Sequence, residues 1–459
     1  MNSSQFPPTA SAATPLISSL QMKLVNQIDQ GVSYDDIYPT IIEMGEELLN
    51  QDLVPVHKML QVLRNRAQMS LLLHSIPRPV LRSIVMRMVA YDFHDRASDN
   101  RKWLYDKEGP GAYIATISVI NREGCTWTAR ENVRVVSLLN KYSLAIETYE
   151  KYKSDGGSQL TEVELSAMKV AQEIDKAYPN TAGEAVANNE IIDDSVSDDD
   201  SISDDENDIG QDLAWKIPRF ACGLTGKRSR DARQLASMLE MRQIPGVDLD
   251  VPCKQSVCMV GNAGDVEKRT QAHRLITALK ECVKCWGLLV SCLKYANLEV
   301  EETIIPVCKT WESKQINMAE ILVTVLAGSL LSVSGLNVKQ PGTRPEKKEP
   351  IPRMLQHCYS QVWRANPWFR ENLAHSFPVT MALIEAEEKL GDPPPLERTL
   401  DKIQQLGEER GEMVKTLNRF KQTQAMVASV EELLVLDAHD DANDKAMAAA
   451  LAFEDSEEE

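Results

Sequence analysis

Acidic residues are not spread along this chain. They are concentrated in two runs, and neither run has enough apolar side chains to enter a core. Residues 190–212 hold eleven acids, from Glu190 to Asp212, and no base; residues 437–459 hold nine acids and one base, Lys445. The runs contribute −11 and −8 against −18 for the whole chain, so all other residues sum to about +1. A segment so charged cannot offset the entropy of ordering its backbone, and the internal run reads as disordered. The fold must therefore be built from residues 20–180 and 213–392. A pI of about 5.0 would argue against a nucleic-acid ligand if charge were uniform. A near-neutral body carrying separate acidic segments leaves that ligand open.

Most of the remaining sequence carries apolar residues at helical spacing. Leu60, Leu63 and Leu71–Leu73 share one side of a helix within Leu53–Leu73. Val80, Ile84 and Met88 continue the pattern after Pro79, with Pro77 and Pro79 breaking the chain between them. One stretch departs from it. Tyr113, Ile114, Ile117, Val119 and Ile120 read as a strand, Asn121–Gly124 as a turn, and Cys125–Thr128 as a return strand. Thr128 with Glu131, and Thr161 with Glu164, spell capping boxes opening helices to about Lys153 and Tyr178. Beyond the internal acidic run, a long helical stretch is expected over Asp265–Asn297. Further helices are expected near 317–333, 351–364 and 378–390, with a charged, Pro-rich loop at 340–350.

After Pro393–Pro395 a helix over 396–436 spaces Leu406, Met413, Phe420, Val427 and Leu434 by seven. The companion seam (Ile403, Arg410, Leu417, Gln424, Glu431) is apolar at only two positions, which favours a docking stripe over a coiled coil. The expected organisation is a mobile N-terminal arm (1–19), an N-terminal helical lobe (20–180) and an acidic tether (181–212). A C-terminal helical lobe (213–392), a docking helix (393–436) and an acidic tail (437–459) follow.

Motifs for catalysis are scarce. Gly223–Ser229 superficially matches a phosphate loop, but the first glycine of that pattern is Ala221 and Arg228 follows Lys227. No HExxH occurs, and no histidine pairs visibly with a Ser or Cys nucleophile. Nine cysteines and no recognisable secretory leader point to free thiols in a reducing compartment. Cys253, Cys258, Cys282 and Cys285 could supply four thiolates to zinc, but Cys282 and Cys285 continue an apolar helical stripe with Trp286 and Leu289, and packing is favoured. No cofactor is expected. The uncharged stretch Ile321–Val338 is 18 residues long, which is borderline for a membrane span. Its serines, glycines and Asn337 favour a buried core helix and its following turn.

Basic residues are the more telling signal. Residues 58–134 and residues 213–286 each hold thirteen Lys/Arg against seven Asp/Glu, a net of +6 in each sector. Arg64, Arg66, Arg78 and Arg82, together with Arg87, belong to the first. Lys254, Lys268, Arg269, Arg274, Lys280 and Lys284 belong to the second. Facing walls of this kind would form a groove for a sugar–phosphate backbone. Trp103, Tyr113, Trp127 and Trp286 are available for base stacking, although core packing is the simpler role for each. Ser195, Ser197, Ser201 and Ser203 each precede an acid by three residues, the pattern acidophilic kinases use, and phosphorylation would make the run more negative.

Two stretches sharpen the reading. Gly109-Pro-Gly-Ala-Tyr-Ile114 leading to Asn121-Arg-Glu-Gly124 resembles the N-lobe of plant negative-strand virus nucleoproteins. Trp363-Arg-Ala-Asn-Pro-Trp-Phe-Arg370 leading to His375-Ser-Phe-Pro378 is similar to C-lobe segments of that group. The size suits the ophiovirus coat proteins, with plant rhabdovirus nucleoproteins next. The internal acidic run departs from the usual pattern. The resemblance implies a mainly α, two-lobed nucleoprotein with a small β-hairpin in the N-lobe and extended terminal arms. It implies no enzymatic activity. It implies instead a homo-oligomer that encapsidates single-stranded genomic RNA in a basic interlobe cleft, in virions and in the host cytoplasm or nucleus. The acidic tail would recruit a viral polymerase or polymerase cofactor. The competing reading is a helical scaffold or adaptor that binds protein partners through its acidic tethers.

Overall fold

The computed structural model describes residues 16–49, 57–154, 160–177, 218–220, 228–243, 248–271, 273–275, 284–338, 341–342 and 350–389, and positions 405, 408, 412 and 415. The described residues are mostly helical, with one small antiparallel sheet among them. Six helices come first: α1 (Ser19–Asp29), α2 (Tyr34–Leu49), α3 (His57–Leu63), α4 (Arg66–Ser75), α5 (Arg78–Val85) and α6 (Val89–Phe93). A 3-10 turn, Asp99–Trp103, leads to β1 (Gly111–Val119). Then come α7 (Ala129–Ser154), α8 (Glu162–Ala177), α9 (Arg228–Met241), β2 (Cys258–Ala263), α10 (Val266–Gln271), α11 (Lys284–Tyr295) and β3 (Val300–Lys309). The last elements are α12 (Gln315–Ala327), α13 (Pro352–Ser360), α14 (Trp368–Ser376) and α15 (Pro378–Lys389).

Both capping boxes form as the sequence predicts. The Thr128 amide donates to Glu131 at 2.7 Å and the Glu131 amide donates back to Thr128 Oγ1 at 3.2 Å. Thr161 and Glu164 repeat the exchange at 2.8 and 3.3 Å. Each box satisfies amides that a helix start leaves without intrahelical partners. The expected Leu53–Leu73 helix is interrupted at Asn65, where α4 begins. The Ile321–Val338 stretch is buried rather than membrane-spanning. Buried along most of its length, α12 ends at Gly328, whose φ of +57° lets its amide close back on Thr324 and Val325. Among the described residues no helix is long and apolar enough to cross a membrane.

The expected hairpin is not there. β1 is the central strand of the order β2-β1-β3 and pairs antiparallel with both neighbours. Cys125–Thr128 is no strand; the turn is closed by the Val119 amide donating to the Cys125 carbonyl at 3.0 Å. Both partners of β1 come from beyond the acidic run, in sequence read as helical. The continuous helix over Asp265–Asn297 is replaced by α10 and α11, with non-helical residues 273–274 between them. β3 escapes a pattern reading because Pro306 lies inside it. The register slips between Ala112 (facing Cys308) and Tyr113 (facing Pro306), leaving Val307 unpaired. This bulge accommodates a residue that has no amide to donate.

All nine residues of β1 are buried because helices cover both faces. Tyr113, Ala115, Ile117 and Val119 join one core with apolar residues of α7, α8, α9 and α11. Ala112 and Ile114 join a second core with α1–α6 and α12. Each core draws residues from before and after the acidic run, so residues on the two sides of the run interleave. The described residues up to Met381 form one compact unit. Described residues that flank the run on either side also meet. Asp175 accepts from the Tyr142 hydroxyl at 2.8 Å and from the Arg219 amide at 3.0 Å, and the Phe220 amide donates to Tyr142 at 3.0 Å. The run itself, the N-terminal arm before Leu16 and the acidic tail lie outside the described residues. So does most of the 393–436 helix, of which Gln405, Glu408, Glu412 and Lys415 are helical and exposed.

Candidate nucleic-acid interface

The first basic sector is largely engaged within the fold. Arg64 pairs with Glu46 at 2.8 Å, an exposed pair linking the end of α3 to α2. Arg66 reaches Asp35 at 2.7 Å and lies over the Tyr38 ring. Arg78 donates to the carbonyls of Ile28 (3.2 Å) and Val32 (2.9 Å) and sits 5.0 Å from the Tyr34 ring centroid. Arg82 grips both oxygens of Asp29, at 2.6 and 3.2 Å. These four side chains fasten α1 and α2 to α3–α5. Arg87 is buried and faces Ala327, Leu16 and Gln21.

The second sector lies differently. Lys254 sits 4.6 Å from the Tyr91 ring centroid and acts on the Asp92 carboxyl together with Arg82. Burial nevertheless raises the Asp92 pKa, against the pull of Ser83 and these two cations. Lys268 is exposed on α10, 3.9 Å from Asp265. Arg269, also on α10, stands beside His273, whose pKa falls to about 3, chiefly by burial and secondarily through that charge. Arg274 is exposed. Lys284 opens α11, and Lys280 lies outside the described residues.

One place brings cations from both sides of the acidic run together. Lys107 is half-buried, and its pKa is lowered first by that burial, then by Arg274, Arg101 and Arg96; Glu267 opposes them. Arg101 is lowered by burial and by Arg96, against Asp95. Its guanidinium is fixed by the carbonyls of Phe93 (2.8 Å) and Asp95 (3.0 Å). Asp106, beside Lys107 in the chain, is engaged by other groups. The buried Lys309 ammonium donates to the Asp106 carboxylate and to the Glu108 carbonyl, and His357 Nε2 stands 3.3 Å from Asp106. The neighbouring cations lower Lys107 and Arg101, and an anion placed among them would relieve the repulsion.

Of the predicted cations whose side chains are described, Arg274 belongs to this cluster. Arg96, Arg101 and Lys107 entered the sequence reading only as charge in a sum. The usable signal was local: Arg96-Ala-Ser-Asp-Asn-Arg-Lys-Trp103 sets three cations beside a tryptophan. The aromatic candidates divide in the same way. Tyr113, Trp127 and Trp286 are buried in the core, whereas Trp103 remains partly exposed, with Lys102 over its ring at 5.7 Å.

Cys258 and Cys285 are buried thiols, pushed up by burial to about 11 for Cys258, and Cys253 is partly exposed; Cys282 lies outside the described residues. Among the described residues no cluster of three or more His, Cys, Asp or Glu is arranged to hold a metal. No family model, curated protein or solved structure matches the chain.

Proposed function

We propose that this chain is a nucleoprotein that binds single-stranded RNA along its sugar–phosphate backbone, without reading sequence, and assembles with further copies on that RNA. The observation that carries the reading is the convergence of Arg96, Arg101, Lys107 and Arg274 from opposite sides of the acidic run. These cations would displace counterions from the RNA phosphates they neutralise, giving affinity that falls steeply with salt. Trp103 beside this cluster offers a stacking surface for a base, which every base can use. Arg64, Arg66, Arg78 and Arg82 act in this reading mainly as fasteners of α1 and α2. Lys254, Lys268 and Arg269 extend the basic surface. The acidic segments would recruit a basic partner such as a polymerase cofactor, in the virion and the host cytoplasm. No catalytic step is assigned.

A second observation favours contact with protein. Val133, Met241, Leu249 and Val251 are exposed apolar side chains where Asn132 meets the Leu239 carbonyl and Arg130 the Leu249 carbonyl. Under the nucleoprotein reading this patch meets another copy; under the scaffold reading it meets a different protein. Purification from a heterologous host without nuclease separates the two. A nucleic-acid-like absorbance ratio, with rings or filaments in negative stain that ribonuclease and high salt disperse, is expected. Small monodisperse particles that bind no RNA at low salt would favour the scaffold.

A further inference from the structure

Among the described cysteines, Cys258, Cys285, Cys292, Cys308 and Cys358 are buried, whereas Cys125 and Cys253 keep part of their surface open. The fold brings these two together. The Thr126 amide donates to the Cys253 carbonyl at 2.7 Å, and the Thr126 hydroxyl donates to the same oxygen at 3.1 Å. Four residues on, the Arg130 amide donates to the Leu249 carbonyl at 3.1 Å, so segments 126–130 and 249–253 run antiparallel as a short ribbon. With standard peptide dimensions, an amide bonded at that length keeps the Cα atoms of Cys125 and Cys253 within about 6 Å, inside the range that disulfides span. The sulfurs also sense one another. Partial burial is the first cause that raises the Cys125 thiol; Lys254 opposes the rise and Cys253 adds to it. The Cys253 thiol donates to the Gln255 carbonyl at 3.4 Å, and Arg242, fixed by Ser334 at 3.2 Å, donates to the same oxygen at 2.7 Å. A fixed cation beside a partly exposed sulfur is the setting in which thiols react with peroxides.

We infer that Cys125 and Cys253 form a reversible disulfide when the protein meets a small peroxide, Cys253 reacting first and Cys125 closing the bond. The Cys253 thiolate attacks one peroxide oxygen. An S–O bond forms, the O–O bond breaks, and hydroxide leaves with the electron pair, giving a sulfenic acid. The Cys125 thiolate then attacks that sulfur. An S–S bond forms, the S–O bond breaks, and a second hydroxide leaves. The two hydroxides take up the protons given by the two thiols, so the thiols lose two electrons and hydrogen peroxide becomes two waters. The bond fastens the 249–253 segment, which carries Leu249 and Val251, to the segment that leads into α7 and Val133. Its effect on assembly through that apolar patch rests on the function proposed above; the bond itself does not.

The test treats the reduced full-length protein with one equivalent of hydrogen peroxide, blocks the remaining thiols with iodoacetamide and maps the non-reduced peptides by mass spectrometry. A peptide linking Cys125 to Cys253 should be the main product and should disappear with dithiothreitol. Oxidation should also raise the urea midpoint of unfolding, because the bond closes a loop of more than a hundred residues. Cys125→Ser should remove that shift and leave Cys253 as a sulfenic acid that dimedone traps. Cys253→Ser should slow the oxidation of Cys125 severalfold. Wild type that yields no linked peptide while Cys253 is carried on to the sulfinic acid, or Cys125 oxidised at an unchanged rate in Cys253→Ser, overturns the inference. The peptide map needs no RNA, so the two claims separate. A linked peptide in a protein that binds no oligouridine sustains the disulfide and sinks the nucleoprotein reading alone.

Discussion

The guanidinium of Arg87 donates to the main-chain carbonyl of Ala327 at 3.1 Å, a contact between residues 240 apart in sequence. The same group donates to the Leu16 carbonyl at 3.0 Å and to Gln21 at 3.2 Å, while its own backbone sits at a φ of +58°. Arg87 therefore ties the entry of α1 and the end of α12 to the turn after α5. A residue counted in a basic sector is a buried pin.

Arg87→Ala should leave the Ala327 and Leu16 carbonyls without this donor, while Gln21 Oε1 keeps the Ser18 amide. Each buried unsatisfied group costs ~1–3 kcal/mol, so a loss of about 2 kcal/mol or more is expected. Urea unfolding measures it. RNA affinity of the folded fraction should not change; a stable variant with weakened RNA binding would assign Arg87 to the interface instead.

Two buried histidines make stability pH-dependent. His74 bonds the Ser70 carbonyl at 2.6 Å and Ser376 at 2.8 Å, and His273 bonds Tyr113 at 2.8 Å. Burial lowers His74 from 6.5 to about 4 and His273 to about 3. The folded state thus stays neutral where the unfolded chain takes up protons. This destabilisation is absent above pH 6.5 and grows as pH falls through 6.5 toward each folded value. At pH 4 His74 alone should account for roughly 3 kcal/mol. Chemical denaturation at stepped pH should show that decline, and His74→Gln should flatten much of it. A wild-type stability that is level from pH 7 to 4 would contradict the burial of both rings.

Thr128→Ala removes one half of the box that opens α7 and should cost ~1 kcal/mol. Glu131, the other half, is held below the usual carboxylate range, first by Arg122 and then by the Thr128 amide and hydroxyl, against its partial burial. Its contribution is present above the unfolded glutamate pKa and is lost as pH falls through the lowered folded value. Glu131→Ala should therefore matter at pH 7 and little at pH 2, as thermal melts at both values would show, whereas the bond lost in Thr128→Ala joins the hydroxyl to the neutral Glu131 amide and its cost should be similar at both. A Glu131→Ala effect equal at both values would place its cost elsewhere.

Local chemistry was legible in the sequence where it acts over a few residues. Thr128–Glu131 and Thr161–Glu164 each fix a helix start through contacts within about one turn, whereas Gly328 ends α12 inside the stretch read as helical to 333. Long-range pairing was not legible. The strand character of β1 was visible, but its partners lie more than a hundred residues on. Pro306 and the Glu301-Glu302 pair mask β3, and a bulge makes it fit. The site was half legible for a related reason. Net charge identifies a sector, but only packing decides whether an arginine meets carbonyls alone, as Arg78 does at Ile28 and Val32, or carbonyls beside other cations, as Arg101 does.

The most direct measurement of the central claim is the salt dependence of oligouridine affinity, by fluorescence anisotropy, for wild type and for Arg96→Gln/Lys107→Gln/Arg274→Gln. Each lost phosphate contact reduces the slope of log affinity against log salt by about 0.7 for a single strand. The account predicts tight, salt-sensitive binding by wild type, with weaker binding and a shallower slope in the triple variant. Wild type that binds no RNA at low salt, or a variant whose slope and affinity match wild type, would contradict it.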